Sequence, residues 1–72
     1  MAQLTHAQYD ALERAITRGS RLAIYRRGTE YVVVPLQLAI RNGREAIEAK
    51  NPITGDDITL FLDDIDSIEV VR

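Results

Sequence analysis

The sequence predicts a mainly β domain with one N-terminal α-helix, in which five strands form a strongly bent antiparallel barrel. Three observations lead there. A capped, one-faced helical pattern fills the first eighteen residues, and five apolar segments of strand length follow, separated by short turns. The last two segments, Asp57 to Leu62 and Ile68 to Val71, flank a polar corner, Asp63-Asp64-Ile65-Asp66, which fits one helical turn rather than a hairpin. Strands joined by such a corner do not pair flat with each other, so the chain is expected to cross from one side of a curled sheet to the other, as small barrels do on closing. One domain over 1–72 follows, with a helix at 4–19 and the barrel at 21–72.

The helix start is specific. Thr5 as N-cap with Gln8 three residues on forms a capping box, and Leu4 before the cap with Tyr9 after it forms a hydrophobic staple. Tyr9, Leu12 and Ile16 make one stripe with Ala15 beside it, Arg14 and Arg18 suit the negative end of the helix dipole, and Gly19 suits a left-handed cap. Leu22 and Ile24 then alternate with Ala23, Tyr25 and Arg27 in a half-buried strand, and Arg27-Gly28-Thr29 turns the chain back. The continuous run Tyr31-Val32-Val33-Val34 reads as a strand covered on both faces. Pro35 has no amide hydrogen to give a ladder and marks a bend, bulge or edge before Leu36, Leu38 and Ile40. Asn42-Gly43 is a type I′ hairpin signal leading into Arg44 to Lys50, where Ile47 and Ala49 share a face with Glu45. Asn51-Pro52-Ile53-Thr54-Gly55-Asp56 is turn chemistry before the fourth strand.

At 72 residues without cysteine, no disulfide or thiolate metal site assists the core. Added burial through self-association is therefore expected. No apolar run reaches the roughly 20 residues of a membrane span, and no basic-then-apolar leader opens the chain, so a cytoplasmic protein is expected. The net charge of −2 conceals a polarity: seven arginines and three acids before Glu45 give +4, while Lys50 and Arg72 against eight acids from Glu45 onward give −6. Two readings stand. Either the halves interleave so that neighbouring strands neutralise each other, or the surface is bipolar and docks head to tail or on a charged partner.

The chemistry of the side chains points away from catalysis. His6, the one histidine, sits in the first helical turn and is expected on the surface, Ser20 and Ser67 lie in no nucleophile turn, and the four glycines are isolated turn residues without a phosphate-cradling motif. No catalytic residue, cofactor or metal site is expected: Asp63, Asp64 and Asp66 with Asp56 and Asp57 lack the glycine and distal glutamate of a calcium loop. Capping the corner is the simpler task for Asp63 or Asp66. Arg18, Arg21, Arg26 and Arg27 form a candidate anionic-ligand patch, with Tyr25 and Tyr31 as stacking surfaces; the alternative is solvated strand ends and helix-dipole pairing. The acidic pI of about 5.2 does not favour nucleic acid. Phe61 points outward with Thr59, and beside the Tyr31 to Val34 run it would form an exposed patch unless the helix covers it. Tyr25, Tyr31, Phe61, Asp63, Asp64 and Asp66 are thus the candidate interaction surface, for a protein partner or a second copy in a homodimer.

Ala15-Ile16, Leu22-Ala23-Ile24-Tyr25, Val34-Pro35-Leu36-Gln37-Leu38, Gly43-Arg44 and Thr59-Leu60-Phe61-Leu62-Asp63-Asp64-Ile65 together resemble the WYL domain, an Sm-like or SH3-like barrel of bacterial transcription regulators. The resemblance spans about five-sixths of the chain and implies a regulatory, ligand-sensing module with nucleic acids or nucleotides among its ligands. Glu45-Ala46-Ile47 stands where that family has Trp-Tyr-Leu, and Phe61 and Asp64 stand where it has arginines. The barrel is carried over and the ligand site is not. A second resemblance, through Tyr9-Asp10-Ala11-Leu12-Glu13-Arg14-Ala15 and Leu62-Asp63-Asp64-Ile65, is to small antiterminators that bind the Rho terminator through an acidic surface. A non-catalytic, self-associating regulatory or interaction module is expected, with an acidic Rho inhibitor as the alternative.

Overall fold

The computed structural model describes residues 4–71; residues 1–3 and Arg72, which the expected 1–72 domain and its charge balance include, lie outside the described residues. One helix, α1 (His6–Arg18), precedes β1 (Leu22–Arg26), β2 (Thr29–Arg41), β3 (Arg44–Lys50), β4 (Asp57–Phe61), a 3₁₀ turn at Leu62–Asp64 and β5 (Ile65–Val70). The strands lie in the order β4-β3-β2-β1-β5, and every paired neighbour is antiparallel. The last strand therefore pairs with the first and not with the strand before it. The curled sheet with its crossing corner is what the sequence predicts.

Local chemistry sets the helix ends. The Gln8 amide donates to Thr5 Oγ1 at 3.1 Å while the Thr5 amide donates to Gln8 Oε1 at 2.9 Å, a reciprocal capping box. Gly19 at φ 69° ends the helix, and its amide and that of Ser20 both donate to the Ala15 carbonyl. Leu12 and Ala15 are buried, while Leu4, Tyr9 and Ile16 are half-buried against the core. Both hairpin turns have two residues at positive φ, Arg27 with Gly28 and Asn42 with Gly43, as a type I′ turn requires.

The bend lies in β2. Its first part pairs with β1 through Leu22↔Val33 and Ile24↔Tyr31, its second part with β3 through Pro35↔Ala49 and Leu38↔Ile47, and the register shifts between Pro35 and Gln37. Leu36 is the extra residue, so a bulge re-aims the strand at the position of the missing proline amide. A second shift between Tyr25 and Arg26 leaves Asp66 as the extra residue of β5. Leu22, Ile24, Val33, Ile47, Ala49, Leu60, Leu62, Ile65 and Ile68 converge on Leu12 and Ala15 to fill the interior.

Three expectations need correction. The Tyr31 to Val34 run is not covered on both faces: Val33 is buried in the core, but Val32 is 38% exposed, because the alternation of the strand sends Tyr31 and Val33 toward the core and Val32 to the other side. The corner is Leu62–Asp64, shorter and one residue earlier than expected, so β4 stops at Phe61 and β5 begins at Ile65, whose buried side chain pulls it into the ladder opposite Arg26. No side chain caps that turn, so neither Asp63 nor Asp66 has the capping role.

Leu60 is fully buried between Ile47 and the helix-facing core, and a domain this small has little stability in reserve. Leu60→Ala is expected to cost about 2–5 kcal/mol, enough to leave much of the population unfolded, as read by urea denaturation. Thr5→Ala, which removes the hydroxyl that accepts from the Gln8 amide, is expected to cost about 1 kcal/mol in the same assay.

Candidate functional site

The closing corner gathers the densest polar chemistry. Arg44, at the start of β3, donates through Nε to Asp63 Oδ2 at 3.0 Å and through Nη2 to Asp63 Oδ1, with Asp64 Oδ2 at 3.6 Å. Its guanidinium carbon lies 4.0 Å from the centre of the Phe61 ring. Arg27, from the β1–β2 turn, reaches Asp64 Oδ1 at 3.4 Å. Two hairpin tips thus hold the 3₁₀ turn between them. The Arg44 hydrogen bond holds the Asp63 carboxyl below its ordinary range, and the Asp63 carboxylate in turn raises Arg44.

Phe61 therefore meets a different fate from either expected one. It does point outward, opposite Ala46, yet the helix does not cover it; the Arg44 guanidinium does. Ala46 has no exposed surface although it lies on the outer side of the sheet, between Ala39 and Phe61. The Val32 row, with Ala23 as its neighbour, belongs to the other part of the sheet, so Phe61 and the Tyr31 to Val34 run occupy separate rows.

The four arginines of the anionic-ligand patch do not gather in one place. Arg18 and Arg21 lie before β1 and Arg27 after it, so Arg21 and Arg27 are roughly 20 Å apart along an extended strand. Arg26 is half-buried and donates to the Tyr31 hydroxyl at 2.9 Å, with its guanidinium carbon 4.8 Å from that ring centre. Tyr25 faces the opposite side and donates to Glu30 Oε2 at 2.8 Å, which raises its pKa. Asp66 is exposed without an ion pair among the described residues.

Sequence reasoning missed three arrangements. Arg44 is the centre of the corner, and the signal was its place two residues before Ala46 on a strand neighbouring Phe61. Glu48 accepts from Arg41 and from Gln37, its cross-strand neighbour, which lowers its pKa. Tyr9 donates to Glu45 at 3.3 Å, tying the helix to β3, and burial with the nearby carboxylate raises the phenol. Shallow clefts border these groups: one of about 310 Å³ lined by Glu30, Tyr31, Val33, Asn51, Asp56 and Ile58, and one of about 280 Å³ between α1 and Val70. Among the described residues no three His, Cys, Asp or Glu side chains gather as metal ligands, and no helix is long and apolar enough to cross a membrane.

No protein-family model matches the sequence, and no curated protein matches it. Solved structures do match its fold, among them proteasome accessory factor B/C (PafBC) of Arthrobacter aurescens, with a TM-score of 0.73 at 23% identity over 97% of this chain. The chain spans 12% of the length of that protein.

Two ion pairs, one at the corner and one on the β2–β3 ladder, make a pH prediction. Asp63 and Glu48 sit below their ordinary values of 3.8 and 4.5, so their contribution to stability is complete above those values and is lost as pH falls through and below them. Carboxylate NMR titration is expected to show Asp63 moving up toward its ordinary value in Arg44→Gln, with added salt shrinking the difference between the two proteins.

Proposed function

We infer that the chain is a non-catalytic regulatory or interaction module of the Sm-like, WYL-like kind, cytoplasmic and self-associating. The observation that carries this reading is the fold: nearly the whole chain overlays a small part of a much larger accessory factor, as a reusable module would. The resemblance of the Val34-Pro35-Leu36-Gln37-Leu38 and Thr59 to Ile65 segments to WYL domains points the same way, toward transcription regulation. The side chains also suit a binding module better than an enzyme. His6 is exposed in the first helical turn, and it lines neither of the two clefts described above.

Nucleic acid is the less favoured partner. The arginines are divided between two ends of β1 and two of them are engaged by Tyr31 and Asp64, so among the described residues the four do not form one continuous basic track. The Rho-inhibitor reading has less support as well. Asp63 and Asp64, the acids of the segment that resembles those inhibitors, are already paired with Arg44 and Arg27.

Size-exclusion chromatography with light scattering, run across a concentration series, tests the reading. A mass rising above the 8.1 kDa of one chain is expected, and a strict monomer up to about millimolar concentration would overturn self-association. Affinity capture that returns the Rho terminator as the main partner would favour the inhibitor instead.

A further inference from the structure

We propose that two surfaces at opposite edges of the sheet are complementary: the Ile53 tip of the β3–β4 turn of one copy docks in the α1–β5 cleft of another. The proposal rests on the self-association reading above and names the contact.

The turn supplies an apolar knob held rigidly in water. Ile53 is 90% exposed, the most exposed large apolar side chain among the described residues. The loop beneath it is fixed by hydrogen bonds. Asn51 Oδ1 accepts from the Ile53 amide at 2.8 Å and the Thr54 amide at 3.2 Å, the Gly55 amide donates to the Asn51 carbonyl at 2.8 Å, and the Asn51 amide donates to the Asp56 carbonyl at 2.8 Å. A tip ordered in the free chain loses little entropy on docking. Asp56 and Asp57 follow it, both exposed and neither in an ion pair among the described residues. Lys50 faces Asp57 across the ladder, which leaves Asp56 as the uncompensated charge.

The receiving cleft has the opposite character. Ala11, Ala15 and Val70 give it an apolar lining, Ser20 a hydroxyl, and Arg14 and Arg18 its charges among the described residues, over a volume of about 280 Å³. An isoleucine side chain fits within that volume. Neither arginine makes an ion pair among the described residues, whereas Arg27, Arg41 and Arg44 all do. Asp10 and Glu13 flank Arg14 on the groove along the helix, outside this cleft. An apolar tip followed by carboxylates therefore meets an apolar floor edged by guanidiniums.

The knob joins β3 to β4 at one edge of the strand order, and the cleft borders β5 at the other. Knob and cleft are different surfaces, so one contact is head to tail: repeated, it adds copies in a ring or a string, and a pair closes only where both contacts form at once.

Two single variants and their mixture test this. Ile53→Asp removes the knob at a position without packing to disturb, and Arg14→Glu reverses the cleft charge at an exposed helical site; circular dichroism and thermal unfolding check that both remain folded. Each is expected to raise the concentration of half-association by about tenfold or more in light scattering. Mixed in equal amounts, they leave one intact cleft and one intact knob, so a species of about twice the 8.1 kDa chain mass is expected and nothing larger. A wild-type chain that associates while both variants do so equally, or variants that weaken association without forming the mixed dimer, would overturn the proposed contact and leave self-association standing. A monomeric wild type would overturn both.

Discussion

One strand has to serve two sheets, and the rest of the molecule follows from how it does so. β2 runs for thirteen residues, which at about 3.3 Å each would extend roughly 40 Å, well beyond the 29 Å greatest extent of the molecule. It can be accommodated only by bending. The bend falls where Pro35 contributes no ladder hydrogen bond and Leu36 is squeezed out of register, so that Val33 and Leu38 both turn toward one interior although their partners, Leu22 and Ile47, belong to different parts of the sheet. Pro35 itself is fully buried at the fold line. A residue poorly suited to a central strand thus sits where the strand must cease to be straight.

Closure at the other end has a different cause. The turn between β4 and β5 has no side-chain cap, and it is anchored from within by Leu62 and Ile65. Burying each such side chain contributes about 1.5–3 kcal/mol, whereas an exposed ion pair contributes about 0–1 kcal/mol. The hydrophobic term therefore decides that the corner closes. Arg27 and Arg44 then decide how it is oriented, since each comes from a different hairpin tip and both reach Asp64. Stacking over Phe61 gives Arg44 a second reason to stay, and it covers an aromatic ring that would otherwise face water.

These causes explain what was legible in the chain. Caps, type I′ turns and the succession of strand-length segments are local, so Thr5 with Gln8, Asn42 with Gly43 and the polar corner after Leu62 disclose the elements, whereas the pairing of β5 with β1 joins residues as distant as Leu22 and Val70. Alternation also places Leu22, Ile24, Ile47, Ala49 and Leu60 inward correctly. It fails at Tyr31 to Val34, because an all-apolar run carries no record of which face is covered, and only the register against Leu22 and Ile24 settles it. The polar arrangements were less legible still. Arg44 and Asp63 are nineteen residues apart and Arg27 and Asp64 thirty-seven, distances that only the closed barrel brings within reach. Arg18 and Arg27 are near in sequence, yet an intervening extended strand separates them.

The division of charge between the halves of the chain is resolved by topology in an uneven way. All four ion pairs among the described residues join an arginine from the first half to an acid from the second, so across the strands the halves interleave and neutralise each other. The helix stands outside that exchange. It packs on β2 and β5, and Arg14 and Arg18, toward its C-terminal end, make no ion pair among the described residues. The β3–β4 turn is the acidic counterpart, because it protrudes beyond the last rung of its own ladder, and Asp56 makes no ion pair among the described residues. Pairing Arg27, Arg41 and Arg44 in this way leaves Arg14 and Arg18 on the helix and Asp56 beside the exposed Ile53 on the turn, two features that combine unpaired charge with uncovered apolar surface among the described residues.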